Sequence, residues 1–483
     1  MHQMKRVLLM VTLIFFPRLL AAQTLDLSSL EGESWYGLYL NGQKSGYSTH
    51  VVKKAEDGTV SVVEDAHFRM NMAGVPQDMR MFASRVYAPD GRLLAVESII
   101  YDGAKSTSRF HAVVDGEELV LRADVGGAST EQRFPRPKES LEDALKQAEL
   151  VQGSPQVGDA LTFTTFEPMK PGEIKGRSEI VAVEERLLEG AQTKVYKIYT
   201  TMDFMGIETV SYVTEQGMTL EDITSGQITM RLEPEEIAKD VDYSNDVIVS
   251  NAAMVDTAIL EPRTRASLRL RLSGPLSPAH LFNDERQFLT KNGDGYEFIG
   301  KALNLEGFDT VPIPVDNEKV AQWLEPTLFV QSDDPRIIEK AKQIVGDETD
   351  SLKIAALLSE WVYKNVNTIF SARLTNALEV LESLEGDCTE HSILFVALAR
   401  AAGVPAREVA GLIYMDGTQP GFYFHQWAKV WVGKWVDVDP TWNQALADVT
   451  HIKLAEGDLF QQAQLIPIIG QIKVEVLEEA SGG

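Results

Sequence analysis

From Ser392 to Ala402 the chain reads Ser-Ile-Leu-Phe-Val-Ala-Leu-Ala-Arg-Ala-Ala, apolar on nearly every side. A helix with no polar face has to be surrounded, so this stretch requires packed structure all round it. Gly403 supplies the stop, and Val404-Pro405 keeps the helix from continuing. Immediately upstream stands Gly386-Asp387-Cys388-Thr389-Glu390-His391, which places Cys388 in the first turn of a buried helix. Unpaired amides and the positive end of the helix dipole favour a thiolate at that position. The backbone N–H near Cys388 is also a donor for a developing oxyanion.

Cys388 is the one cysteine among 483 residues. That excludes an internal disulfide and any Cys-rich zinc or iron–sulfur centre. The N-terminus makes the thiol more informative. Met1 to Arg6 is short and basic, Val7 to Phe16 is apolar, Pro17 breaks the run, and Leu20-Ala21-Ala22 offers small residues for cleavage. This is the pattern of a secretory signal over residues 1–22. As a helix, ten apolar residues reach only about 15 Å, half of the ~30 Å needed to span a bilayer. A periplasmic or secreted protein with no stable membrane insertion after cleavage is therefore expected. An unpaired thiol in an oxidising compartment is exposed to oxidation, so Cys388 should be either well buried or functional. The formal charge of -26, from 45 Lys+Arg against 71 Asp+Glu, leaves no basic face for phosphate neutralisation, and nucleic-acid binding is excluded.

Residues 23–240 read as a β-rich domain. Alternating runs such as Trp35 to Leu40 and Leu93 to Tyr101 are separated by Asn41-Gly42, Asp57-Gly58, Asp90-Gly91 and Asp115-Gly116. Such spacing predicts a large antiparallel sheet or a partly open barrel. Ser140 and Asp143 form a capping-box pattern for a short helix. Residues 241–320 read as a linker followed by a second β segment that starts with the alternation Ala266 to Leu272. Composition changes beyond residue 320, where six of the seven Trp lie. Helices are predicted from Asp334-Pro335 to Gly346, across Leu352 to Val362, and from Ala377 to Leu384. The fold class is α+β, with residues 321–483 forming the C-terminal domain.

Three strands follow the buried helix: Ala406 to Met415, Phe422 to Val432, and Trp435 to Thr441. The second carries His425 and the third Asp437 and Asp439, so a nucleophile, a base and an orienter are within reach of one another. Strand parity restricts how they can meet. A two-residue turn at Gly433-Lys434 would set Asp439 opposite Ala428 and turn His425 to the other face. A three-residue loop from Val432 to Lys434 sets Asp439 opposite Trp427, with His425 its diagonal neighbour about 7–8 Å away. That loop, or a bulge between 425 and 439, is required if the three groups act together.

Gly386-Asp-Cys388-Thr-Glu-His, the following Ala-Leu-Ala-Arg-Ala-Ala-Gly-Val-Pro-Ala-Arg407, His425-Gln-Trp-Ala-Lys-Val and Trp435-Val-Asp-Val-Asp439-Pro-Thr resemble the transglutaminase-like superfamily over roughly residues 320–470. The resemblance implies a papain-like core with Cys388 as nucleophile, His425 as base and Asp439 as orienter. It is closest to exported bacterial members with an N-terminal β region. Gln426 replaces the family's usual alanine, and the calcium sites of animal transglutaminases have no visible counterpart. No second oxyanion donor is matched; Trp361 is the nearest upstream indole. Asp437 competes with Asp439, whose following Pro-Thr fits the family. His391 is expected near the site as a helix residue, and His451, outside the hairpin, as structural. Trp427 and Trp442 are candidates to line the cleft.

No cofactor and no metal is expected: Cys388-x-x-His391 with His425 would give only one thiolate where structural zinc takes four ligands. The implied activity is acyl transfer from an amide of a protein or peptide substrate through a Cys388 thioester, to water or to an amine. A non-catalytic envelope binding or assembly module on a retained core is the alternative, with a cell-envelope partner. If the leader reading is right, the intact mass of protein recovered from the periplasm or medium corresponds to a chain starting at Gln23; a mass retaining residues 1–22 overturns it.

Overall fold

A computed structural model describes residues 31–477 apart from 73–74, 103–104, 142, 144–149, 152–154, 189, 205, 242–245, 247 and 371–374. The leader at 1–22 and most of the short helix expected after Ser140 lie outside the described residues. The capping box itself forms: Asp143 N–H donates to Ser140 Oγ, and Ser140 N–H to Asp143 Oδ2, each at 3.2 Å. The chain divides into two compact units near residue 245. Among the described residues no helix is long and apolar enough to cross a membrane.

The first unit is one 14-stranded antiparallel sheet. Strands follow each other as hairpins from Gly32–Leu40 to Ala128–Pro135, and again from Ala160–Phe166 to Ile228–Leu232. The two runs join where Gly32–Leu40 pairs with Ile228–Leu232, Tyr36 opposite Leu232. Period-two patterning sorts the faces. Phe68, Met70 and Met72 on one strand and Met79 and Met81 on the next are buried, while Arg80 reaches across the other face to Asp65 at 2.6 Å. The outermost strands are Ala128–Pro135 and Ala160–Phe166. Between them in sequence, Glu139 acts as a buried staple. Its Oε1 accepts from Arg85 Nε (3.1 Å) and the Tyr87 hydroxyl (2.7 Å), and its Oε2 from the Thr165 hydroxyl (3.0 Å) and Phe166 N–H (2.6 Å). Nothing in the sequence around Glu139 distinguished it from the surface acids.

The second unit is built around the helix Cys388–Ala401. Every side chain from Cys388 to Arg400 is buried. Ile393, Leu394, Phe395, Val396 and Leu398 are wholly enclosed, and such burial is worth about 1.5–3 kcal/mol for each large side chain. The helices Pro335–Val345, Ser351–Asn365 and Ala377–Ser383 pack around it, as do the strands Ala406–Met415 and Gly421–Trp431. The sheet order is Ala253–Met254, Gly421–Trp431, Ala406–Met415, Ile452–Glu456, with Trp435–Val438 also pairing to Gly421–Trp431.

Residues 246–320, read from sequence as linker and second β segment, are built into this unit. Ala253 pairs with Phe422, the Tyr414 hydroxyl accepts from Ile259 N–H, and Ser267–Ser273 pairs with Lys473–Val476. Ile248, Ala253, Val255 and Ile259 are buried at its start, so apolar packing as well as strand pairing attaches it.

Breaking a buried ion pair strands the partner charge and costs about 3–5 kcal/mol, whereas an exposed pair is worth about 1 kcal/mol or less. Glu139→Ala should therefore lower the stability of the chain by that larger amount in a urea melt. Glu97→Ala, which removes the partner of the exposed Arg109 guanidinium, should shift it little.

Candidate active site

Asp387 starts the central helix. Its carboxylate accepts from Thr389 N–H at 3.1 Å, and its own N–H donates to Glu390 Oε2 at 2.9 Å, closing a capping box. Gly386 is required for this turn, because a Cβ there would lie 2.1 Å from Glu390 Cβ. The cap fixes Cys388 as the first helical residue, 6% exposed. Its thiol is coupled to the His425 imidazole. Burial and the Asp387 charge push the thiol up; the His425 imidazole outweighs them, and the thiol lies below its ordinary value.

His425 comes from the middle of the strand Gly421–Trp431. In the adjoining hairpin Trp431 stands opposite Trp435 and Ala428 opposite Val438, so Val432 to Lys434 form a three-residue loop. This is the register that puts His425 and Asp439 on one face, and no bulge is needed in the hairpin. His425 Nε2 donates to Asp439 Oδ2 at 2.7 Å, leaving Nδ1 for the thiol. Burial pulls the imidazole down, but the Asp439 charge and hydrogen bond, with Cys388, raise it to about 9. Gly411 lies directly across from His425, where a Cβ would fall 1.9 Å from the Ile452 carbonyl oxygen.

Asp439 is completely buried. Oδ1 accepts from the N–H groups of Thr441 (2.8 Å) and Trp442 (3.1 Å). Oδ2 accepts from His425 and from a second histidine, His451, whose Nε2 lies 2.9 Å away. Burial alone would raise this carboxyl; the two histidines hold it well below the usual carboxylate range. His451, expected from sequence to be structural, thus belongs to the site. It lies 12 residues beyond Asp439, outside the hairpin that organised the sequence reading, and no spacing rule links the two. Among the described residues, His425, Asp439 and His451 are the group whose ligand atoms could gather around a metal, all within 4.8 Å. Here they are arranged as two N–H donors on one acceptor.

The other candidates have separate roles. Asp437 accepts from Arg286 Nε at 2.8 Å and from the Trp427 indole at 3.4 Å, with Lys453 Nζ 3.5 Å away. Burial would push it up, but Lys453, Arg286 and Lys429 hold it far below normal, and it does not reach His425 as the orienter. His391 Nδ1 pairs with the Asp387 carbonyl at 2.7 Å. Trp427 is wholly buried and stacks on His425, with centroids 6.0 Å apart, while Trp442 is partly exposed beneath the Arg263 guanidinium. Trp361 lies under Lys340 Nζ at 5.4 Å. Gln426 donates to Glu408 at 2.8 Å and so faces away from the base it follows.

Residues 338–440 match the family model of the transglutaminase-like superfamily, which places such a domain in this chain. An uncharacterized protein of Haemophilus influenzae is 37% identical over 98 residues, 19% of this chain; the match spans about a quarter (26%) of that relative's length. A solved structure from Cytophaga hutchinsonii, provisionally described as a cysteine protease, covers 44% of this chain and 81% of its own at 17% identity, with a TM-score of 0.31. A β-barrel-like protein of a domain of unknown function from Brucella abortus covers 42% of this chain and 94% of its own at 9% identity, with a TM-score of 0.33. At such scores neither likeness assigns a fold.

His425 at about 9 when folded, against about 6.5 unfolded, means that the folded chain holds this proton more tightly. The resulting stabilisation is fully present below pH 6.5 and is lost as pH rises through about 9. Urea midpoints should fall across that window, and the fall should flatten in His425→Gln.

Proposed function

Given a transglutaminase-like domain at residues 338–440, we propose that this chain is an exported thiol enzyme that cleaves or transfers amide bonds of protein or peptide substrates. One observation supports it above the others: a buried imidazole that is coupled to the Cys388 thiol and hydrogen-bonded, at 2.7 Å, to Asp439. In this reading the Cys388 sulfur attacks the amide carbonyl carbon. His425 gives its proton to the leaving amine nitrogen as the C–N bond breaks, and a thioester forms. Water then attacks the thioester, His425 takes its proton, and the carboxylate leaves as the sulfur is regenerated. An amine in place of water gives transfer instead. Hydrolysis is the preferred outcome, since an exported enzyme works in water and no amine-binding feature stands out.

The cap at Asp387 engages the N–H groups of Thr389 and Glu390 but not that of Cys388. The Cys388 N–H is accordingly the first oxyanion donor in this mechanism.

Cys388 should react with iodoacetamide at neutral pH well faster than a free thiol of pKa about 8.5. Peptide-amide profiling should show cleavage, and Cys388→Ala should abolish it. A thiol that alkylates no faster than free cysteine, with no turnover on any amide, would favour the non-catalytic envelope module.

A further inference from the structure

His451 is hydrogen-bonded through the Nε2 edge of its ring, and the Nδ1 edge lies against Asp448. Nε2 is 2.9 Å from Asp439 Oδ2, and Nδ1 is 3.3 Å from both the carbonyl and the Oδ1 of Asp448. An ionised carboxylate can only accept, so His451 carries a proton on Nε2 and donates it to Asp439. His425 donates to the same oxygen. Two N–H groups thus draw on one lone-pair region, and each weakens the hold of Oδ2 on the other. Of the two imidazoles it is His425 that is coupled to the Cys388 thiol, so His451 is no rival base.

The support behind His451 is built. Asp448 Oδ1 accepts from the N–H and hydroxyl of Thr450 at 2.8 and 2.6 Å, and Oδ2 from Gln444 Nε2 at 2.8 Å and Arg263 at 3.0 Å. Gln444 is also bridged to Asp439 through both backbone groups, at 2.8 and 2.9 Å. Trp427 packs edge-on to the His451 ring at 5.1 Å, and no part of the side chain reaches solvent. His451, Asp448 and Arg263 all lie outside the matched residues 338–440.

We propose that His451 is a positioning residue that shares the Asp439 carboxylate with His425 and so keeps the His425 imidazolium ready to release its proton. The inference rests on the thiol-enzyme reading above. A completely buried carboxylate facing one imidazole alone would stabilise the imidazolium strongly. That state suits the thiolate but resists the next step, in which Nδ1 must pass its proton to the leaving amine as the C–N bond breaks. A second donor on Oδ2 takes part of the negative charge and eases that transfer. The groups facing His425 are Cys388 from the helix, Asp439 beyond the hairpin, His451 from the segment before Ile452, and the Trp427 ring on its own strand.

The test uses the full chain and needs no known substrate. Histidine-selective 15N NMR follows the titration of His425, assigned by its loss in His425→Gln, and iodoacetamide labelling follows Cys388. His451→Phe fills the space but removes the donor; His451→Gln keeps a donor at the position of Nε2. In His451→Phe the His425 midpoint should move up by about one pH unit, a tenfold change in proton affinity. In His451→Gln it should stay near that of the wild type. If His451→Phe does not fold, His451→Asn, whose amide is too short to reach Asp439, takes its place. A His425 midpoint unchanged in the donor-less variant, or shifted equally in His451→Gln, overturns the proposal while leaving the thiol-enzyme reading intact. A wild-type Cys388 that labels no faster than free cysteine overturns that reading, and this proposal with it.

Discussion

The Asp439 carboxylate is the point on which the cluster around Cys388 and His425 depends. It is fully buried and would be prohibitively costly there without partners. Its donors come from three places: His425 on the strand Gly421–Trp431, the backbone of Thr441 and Trp442 in the turn beyond the hairpin, and His451 ahead of the strand Ile452–Glu456. One charge therefore locks three separate segments. Their geometry is over-determined, since displacing any donor leaves the others holding an under-satisfied ion.

Two residues earlier on the same hairpin, Asp437 meets a different environment. Arg286 and Lys453 face it, cations that do not exchange protons near neutral pH, and Trp427 closes over it. Alternate residues of a strand share a face, so the two aspartates lie side by side. What separates them is what the rest of the unit brings to each. Fixed cations hold Asp437 as a structural anchor, while Asp439 is held by two imidazoles. Arg286 and Lys453 are 167 residues apart in sequence and meet only in the folded unit.

The helix Cys388–Ala401 and this carboxylate complement each other. The helix is apolar all round and provides a rigid, dry position for its first residue. The hairpin then delivers the His425 imidazole to that position. Low dielectric around both strengthens the coupling between thiol and imidazole, which is why burial opposes each charge singly yet the pair is held together.

Much of this was legible in the chain itself. The apolar run after Cys388 could only be a buried helix with Cys388 in its first turn, and strand parity required either a three-residue loop from Val432 to Lys434 or a bulge if His425 was to meet Asp439; the structure chose the loop. The regular turn signals before residue 135 likewise announced a large antiparallel sheet or a partly open barrel, and the structure shows the sheet. These are local rules, set by periodicity, capping and pleat, and sequence carries them directly. Tertiary structure alone decided the rest. It brought His451 to Asp439, gave Asp437 to Arg286, made Glu139 a buried staple, and built residues 246–320 into the same unit as the helix. Each of those outcomes depends on which distant groups share a small volume, and the cost of burying an unpaired charge, not any spacing along the chain, selects them.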